Sequence, residues 1–199
     1  GSDYVHVDVS EFKIPSSMSN SISDFIWYNS PELFNISGMN YTLNSTREYI
    51  SSIYFATYYT KEEYAKMHSK MVEHAEILLY DVKGNDSLSD VEKALILHDR
   101  LAAFNEYDYE SYKNNTIPQS SYNAYGALAL GTSVCMGYAL AYDYLLEQVG
   151  IKSEYCSSDV LFHAWNIVYI DDKPYHVDVT WDDPVRDVSG RVLHDNFLR

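Results

Sequence analysis

Three residues in the C-terminal half of the chain have types that could together carry out nucleophilic chemistry. Cys135 offers a thiol, His163 an imidazole and Asp178 a carboxylate. A thiolate nucleophile needs a base that moves protons, and the base needs a third group that holds its tautomer and orientation. This set requires no cofactor and no metal ion. The three residues therefore predict attack by a thiolate on a carbonyl carbon.

The element that would position the thiol is a helix within residues 131–150, GTSVCMGYALAYDYLLEQVG, whose apolar residues recur at helical spacing. Ser133 is a suitable N-cap, and Gly150 is a suitable residue to end the helix. Cys135 would then lie in the first turn, where unpaired N–H groups and the helix dipole favour a thiolate. The alternative interpretation is that Cys135 is a buried apolar residue at a helix start.

The other two residues fall on a pair of predicted strands. Residues 163–170, HAWNIVYI, alternate as a strand does, and Tyr175–Trp181 is interpreted as the next strand after a turn at 171–174. A turn with a two- or four-residue loop places His163 and Asp178 on one face as diagonal neighbours. A three-residue loop would place them on opposite faces.

Each of these residues also has an interpretation without chemistry. His163 could be a hydrogen-bonded histidine of a sheet, and Asp178 could accept hydrogen bonds from the backbone. His176 shares the face of Asp178, so it is a weaker candidate for the base. Asp182 and Asp183 precede a proline and are interpreted as turn or cap residues.

Two capping boxes predict two further helices. Thr60 and Glu63 open one that runs to about Tyr80, and Ser89-Asp-Val-Glu92 opens another that runs to about Phe104. His98 lies on the apolar face of the second helix. A lone histidine on such a face is interpreted here as a hydrogen-bonded core residue rather than a functional one.

The remaining segments are less regular. Residues 4–9 alternate like a short edge strand or extended arm, Ile22–Ile26 has the spacing of a short helix, and 46–59 has strand composition. We expect the tyrosine-rich stretch 105–123 to form a loop bordering a cleft, and residues 185–199 to be mainly polar loop.

The domain organisation predicted from these elements has two parts. Residues 3–87 would form a mainly helical N-terminal portion packed on a catalytic core at 88–199. We predict an α+β, papain-like fold, in which the helix that carries the nucleophile is buried against an antiparallel sheet.

Composition excludes several classes of partner. The chain of 199 residues has a net charge of −15, so nucleic acid and anionic membranes are not expected partners. Its apolar runs are too short for a membrane span. The two cysteines, Cys135 and Cys156, form no disulfide framework, and their surroundings lack the spacing of a zinc site.

Two features of the sequence bear on the location of the protein. Gly1-Ser2 is typical of the residues that remain after a tag is cleaved, and the composition is rich in Tyr, Ser and Asn. From these two features we expect an exported or cell-surface protein.

The motifs GTSVCMGYALAYDYL, HAWNIVYI and YHVDVTWDDP resemble the core motifs of the transglutaminase-like superfamily in its bacterial form. The resemblance covers about residues 88–184. It implies that Cys135 is the nucleophile, His163 the general base and acid, and Asp178 the orienting carboxylate. The implied chemistry is acyl transfer from an amide through a thioester, with water or a lysine amine as the acceptor.

Three functions follow from the resemblance and remain open at this point. Hydrolysis of a protein, peptide or cell-wall-like substrate is preferred over glutamine–lysine cross-linking, because no feature of the sequence marks a lysine-acceptor site. A non-catalytic binding module of the same fold is the third. The backbone N–H of Cys135 is the natural first oxyanion donor, and Tyr122, Tyr125 or the Trp165 indole could be the second.

Overall fold

The structure is a computed structural model that describes residues 4–184 and 191–199. The chain divides into two compact units, one ending at Met67 and the other beginning at His68. This division falls about 20 residues earlier than the predicted one, inside a long helix.

Arg100 explains why the residues after this helix belong with the second unit. Its guanidinium donates hydrogen bonds to the carbonyl oxygens of Leu78 at 2.8 Å and Tyr80 at 2.6 Å, and to the carboxylate of Asp81 at 2.8 Å. A charged, multiply bonded contact of this kind joins the end of one helix to the side of the next.

The first unit contains a three-stranded antiparallel sheet beside its helices. The strands are β1 Tyr4–Asp8, β2 Ile36–Leu43 and β3 Ile50–Thr57, in the order β1-β3-β2. Helix α1, Ser19–Asn29, lies between β1 and β2 in the chain. A small core of Val9, Ile50 and Ile53 forms beneath the sheet. The expected edge strand, short helix and later strand are present, and β2 was not predicted.

Two capped helices follow. Helix α2 spans Lys61–Leu78, and Thr60 and Glu63 exchange the hydrogen bonds of a capping box at its start. Helix α3 spans Asp90–Phe104 and begins with a capping box formed by Ser89 and Glu92. Both predicted N-termini are confirmed, because the capping residues satisfy backbone N–H groups that would otherwise lack partners.

The stretch 105–123 is more ordered than a loop. It contains β4 at Glu106–Tyr107, α4 at Tyr109–Asn114 and a 3-10 turn at Gln119–Tyr122. Strand β4 pairs in parallel with β5, Thr132–Ser133. A turn of π-helix, Gly126–Leu130, leads into β5.

Helix α5, Cys135–Gln148, is the central element of the second unit. Nine of its residues are buried, so it is enclosed on most sides. The predicted stop at Gly150 is confirmed, since its φ is +79° and its N–H binds the carbonyl of Glu147. The N–H of Ile151 binds the carbonyl of Leu146, which completes a Schellman motif.

The sheet of the second unit has the order β6-β7-β8 and is antiparallel. Its strands are β6 Ser153–Ser158, β7 His163–Ile170 and β8 Lys173–Val177. Alternate residues of β7 are buried, and this strand packs on α5. The β7–β8 loop has two residues, Asp171 and Asp172, both with positive φ, as a type I′ turn requires.

The predicted strand Tyr175–Trp181 ends early. Strand β8 stops at Val177, and helix α6 occupies Val179–Asp182. The reason is Asp178, whose Oδ1 accepts a hydrogen bond from the backbone N–H of Trp181 at 3.1 Å and so caps the helix.

The final segment, 191–199, runs beside β8. The N–H of Asp178 donates to the carbonyl of Asn196 at 3.0 Å, and His176 and Arg199 exchange backbone hydrogen bonds of 2.7 and 2.9 Å. The expected polar loop therefore includes a paired end, while its residues 185–190 lie outside the described residues. No helix within 4–184 or 191–199 has the length and apolar character needed to cross a membrane.

Candidate active site

Cys135 is the first residue of α5 and is partly exposed. The predicted cap, Ser133, does not cap this helix; Val134 is the N-cap residue and makes no side-chain capping bond. The hydroxyl of Ser133 accepts a hydrogen bond from Nδ2 of Asn105 at 2.7 Å instead. The thiol therefore sits one position closer to the helix start than predicted, among N–H groups without intrahelical partners.

Close backbone packing fixes the start of this helix. The N–H of Val134 donates to the carbonyl of Ser121 at 2.9 Å. A Cβ at Gly137 would lie 2.5 Å from the Cβ of Ser133 and 2.8 Å from the Ser121 carbonyl oxygen. Only glycine allows the segment at Ser121 to approach α5 this closely.

The structure brings His163 and Asp178 together. Nε2 of His163 donates a hydrogen bond to Oδ2 of Asp178 over 2.6 Å, and both side chains are more than 90% buried. The two-residue loop between β7 and β8 produces the predicted diagonal arrangement, because it pairs Ile167 with His176. Asp178 uses its other oxygen to cap α6, so both of its oxygens have fixed partners.

The side chain of Cys135 lies close enough to His163 to raise the pKa of the imidazole. Burial lowers the pKa of His163, but the hydrogen bond to Asp178, the interaction with Cys135 and the charges of both groups outweigh burial and raise it to about 9. The imidazole is therefore charged at neutral pH. All three residues predicted from the sequence meet at one place.

Two indole rings lie against the imidazole. The ring of Trp181 is stacked on His163 at 4.6 Å between centroids and 8° between planes, and Trp165 is stacked at 5.9 Å. Nε1 of Trp165 donates to Nδ1 of His176 at 2.8 Å. The indole N–H of Trp165 was one candidate for the second oxyanion donor, and this bond already uses it. The same bond means that His176 holds the Trp165 ring in place.

Tyr107 is a neighbour of Cys135 that the sequence did not single out. Burial raises its pKa to about 12, with further contributions from the charges of Cys135, Tyr112 and Tyr122. The expected border of the cleft thus includes β4, which carries Tyr107. Its pairing with β5, the strand just before α5, could not be read from local sequence.

A pocket of about 340 Å³ opens beside the imidazole. Apolar atoms make up most of its lining surface, although five of the eight lining residues have polar or charged side chains. The lining residues are Leu161, His163, Trp165, His176, Asp178, Trp181, Asn196 and Arg199.

Asp182 and His98 form a buried pair behind the site. Both side chains are fully buried, and His98 Nε2 is 3.3 Å from Asp182 Oδ2. The carboxylate of Asp182 also accepts hydrogen bonds from the backbone and side-chain nitrogens of Asn196. His98 is a hydrogen-bonded core residue as interpreted, bound at Nδ1 to Asp99. Asp182 was interpreted as a turn or cap residue, since its partners are distant in sequence.

The other cysteine stands apart from this chemistry. Cys156 on β6 is paired in register with Trp165, and burial raises the pKa of its thiol. Both cysteines are free thiols.

A sequence model described as the transglutaminase-like superfamily matches residues 79–179, just over half of the 199 residues. The chain belongs to this superfamily, and the predicted α+β, transglutaminase-like fold is confirmed. Membership in this superfamily supports a thiol-dependent catalytic domain. No protein with a curated function matches the sequence.

Two solved structures are similar over most of this chain. A crystal structure described as a TGase is 13% identical with a TM-score of 0.49, covering 90% of this chain and 51% of its own. A protein provisionally described as a cysteine protease, from Cytophaga hutchinsonii, is 15% identical with a TM-score of 0.42, covering 78% of this chain and 64% of its own. The chain thus spans about half to two thirds of these proteins.

Proposed function

We propose that this protein is a thiol-dependent acyl-transfer enzyme acting on amide or peptide bonds, with Cys135 as nucleophile, His163 as general base and acid, and Asp178 as orienting carboxylate. The observation that carries the proposal is that one imidazole is hydrogen-bonded to a buried carboxylate and also has a thiol as its neighbour. One hydrogen-bond partner is enough for a histidine with only a structural role. A histidine between a thiol at a helix start and a buried carboxylate has the neighbours of a catalytic base.

The reaction begins with the pair Cys135 thiolate and His163 imidazolium. The sulfur attacks the carbonyl carbon, a C–S bond forms, and the carbonyl electron pair moves to oxygen. His163 gives its proton to the amide nitrogen as the C–N bond breaks, which leaves a thioester and a free amine. Asp178 holds the ring in position and stabilises its charge throughout.

Water then completes the reaction. His163 takes a proton from the attacking water, a C–O bond forms, and the C–S bond breaks to release a carboxylic acid and the thiolate. The backbone N–H of Cys135 is the first donor to the oxyanion in both steps, as a residue at a helix start can be. Tyr122 and Tyr125 remain the side-chain candidates for the second donor.

We favour hydrolysis because water needs no acceptor site of its own. An amine can replace water in the last step, which would make the enzyme a cross-linking transferase. The pocket beside His163, with its walls of Trp165, Trp181 and Leu161, suits an apolar side chain of a peptide substrate. We propose an extracellular or cell-surface location on composition alone.

Alkylation kinetics test the nucleophile. In a Cys156→Ser background, only Cys135 can react with iodoacetamide, and we expect it to react much faster than a free thiol at near-neutral pH. His163→Ala should lower the alkylation rate of Cys135 to that of a free thiol, while the control His68→Ala should leave the rate unchanged. If Cys135 reacts no faster than a free thiol, it is not activated and the proposal fails.

A second experiment separates hydrolysis from transfer. The wild type and Cys135→Ala are incubated with a peptide library, with and without a primary amine, and the products are identified by mass spectrometry. Cleavage that depends on Cys135 indicates a peptidase or amidase, and amine incorporation indicates a transferase. Absence of both, combined with slow alkylation, would instead indicate a binding module that keeps the fold.

A further inference from the structure

A second cluster of chemically capable side chains lies on α3 and the final segment. Nδ1 of His98, a carboxylate oxygen of Asp99 and Nε2 of His194 are all within 4.8 Å of one another. Both imidazole nitrogens approach the same oxygen, Oδ1 of Asp99, at 2.9 and 2.8 Å. His98 is fully buried, whereas Asp99 and His194 are about half exposed, so the cluster opens to solvent on one side.

The surroundings of His98 indicate what this cluster is suited to hold. Its Nε2 faces the buried carboxylate of Asp182 at 3.3 Å, without the alignment of a good hydrogen bond. In the structure Nδ1 is hydrogen-bonded to Oδ1 of Asp99 at 2.9 Å, and Nε2 has no hydrogen-bond partner. A cation bound at Nδ1 would leave the ring proton on Nε2, where it would face Asp182.

We propose that His98, Asp99 and His194 bind a divalent transition-metal ion of the zinc class, with water completing the coordination. Two imidazoles and one carboxylate are ligands that such ions accept. The carboxylate of Asp182 behind His98 is the outer partner that metal-bound imidazoles commonly have, where it holds the ring and its tautomer.

Binding would change the distances within the cluster. Ligand atoms about 2.0–2.1 Å from a tetrahedral ion are about 3.4 Å from one another. The two nitrogen–oxygen distances would have to widen by about half an ångström, and the two nitrogens, now within 4.8 Å of each other, would have to reach the same separation. Asp99 and His194 are exposed enough to make this movement, and His98 can keep its buried position.

The ion would have a structural effect on the neighbouring pocket. His194 belongs to the final segment, which also holds Asn196 against the Asp182 carboxylate. Asn196 and Arg199 line the pocket beside His163. A metal bridge from α3 to His194 would therefore order one wall of that pocket. The proposed metal site contains no residue of the proposed reaction, so the two proposals can be tested separately.

Metal binding is tested best in a Cys135→Ser background, because a thiol beside an imidazole is itself a zinc ligand set. Isothermal titration with Zn²⁺ should give one saturable site, and Co²⁺ should give an absorption spectrum without thiolate-to-metal bands. Asp99→Asn and His194→Gln should weaken binding about tenfold or more. Asp90→Asn and His68→Gln, exposed or half-exposed positions outside the cluster, should leave it unchanged.

Two further measurements guard against misfolded variants. Circular dichroism without metal should be the same for all the variants, and Zn²⁺ should raise Tm only where the three ligands are intact. Hydrogen exchange should slow in residues 191–199 on adding Zn²⁺. The proposal is overturned if Zn²⁺ does not bind saturably or if Asp99→Asn and His194→Gln bind as tightly as the background. Binding that leaves exchange in 191–199 unchanged would overturn the proposed ordering of the pocket wall.

Discussion

Nδ2 of Asn166 donates a hydrogen bond to the backbone carbonyl oxygen of Ala139 over 2.9 Å, and both residues are buried. The bond joins β7, which begins with His163, to α5, which begins with Cys135. It therefore sets the distance between the imidazole and the thiol from a position that contacts neither group.

Replacement of Asn166 by alanine should uncouple the two elements. We expect a loss of about 1–3 kcal/mol in the free energy of unfolding, since a buried hydrogen bond is removed. Alkylation of Cys135 should slow in addition, measured with iodoacetamide below the unfolding transition. Ile53→Val, a conservative truncation in the core of the first unit, provides a destabilised control that should react as the wild type does. Equal alkylation rates in both variants would show that Asn166 has no positioning role.

The Asp178→Asn variant should change the dependence of reactivity on pH. Folding raises the pKa of His163 from 6.5 to about 9, so the charged ring stabilises the fold fully below pH 6.5, and this contribution is lost as pH rises through about 9. Without the negative charge of Asp178, His163 should lose its proton at lower pH. The alkaline limit of amide turnover, which needs that proton for the leaving amine, should therefore move to lower pH. Turnover of any amide substrate should fall about a hundredfold or more. An unchanged alkaline limit would contradict the assignment of Asp178 as the partner of the ring.

The stacked indole of Trp181 should stabilise the charged ring. A cation against an indole face contributes about 0.5–2 kcal/mol, so Trp181→Ala should lower the pKa of His163 by about 0.4–1.5 units. NMR titration of the His163 ring measures this directly. Trp181→Phe should retain much of the effect, because it retains an aromatic face. A pKa that is the same in all three proteins would show that the stack is packing alone.

Much of this site follows from local sequence. The end of α5 at Gly150, the strand at His163 and the hairpin that brings Asp178 to the same face depend on residues close together in the chain. The start of α5 does not, because the predicted cap Ser133 binds Asn105 and the N–H of Val134 binds Ser121. The cap formed by Asp178 was missed because the alternation in YHVDVTW continues past the point where the strand ends. The role of Asp182 depends on His98 and Asn196, which only the folded chain brings to it.

Gly137 should not tolerate a methyl group. An added Cβ would meet the Ser121 carbonyl oxygen at 2.8 Å, so Gly137→Ala should destabilise the protein by about 1–3 kcal/mol despite the better helix propensity of alanine. Gly38→Ala is the matched control, since a Cβ added at Gly38 would have nothing within 4 Å. Urea denaturation of the two variants compares them. Equal stability would show that the segment at Ser121 moves aside at little cost.

Removal of a buried charge at Asp143 should stabilise the protein. Burial raises the pKa of Asp143 to about 6, with smaller contributions from Glu147 and Glu154, although its hydrogen bond from Ser153 acts in the opposite direction. Folding therefore favours the neutral acid, and stability falls as pH rises from about 4 to about 6. Asp143→Asn should raise Tm by a few degrees at pH 8, equivalent to about 1–2 kcal/mol, and by nothing below pH 4. A gain that is the same at both pH values would contradict this explanation.

The two-residue turn at Asp171 and Asp172 has a consequence for the order of folding. It places the imidazole and the carboxylate, 15 positions apart, within a single hairpin, and hairpins form in about 1–10 μs. The thiol is on a helix that joins this hairpin only through long-range packing, which closes later. A newly made chain therefore carries an ordinary, unactivated cysteine until its core is complete, so the reactive thiol appears only in molecules that have finished folding.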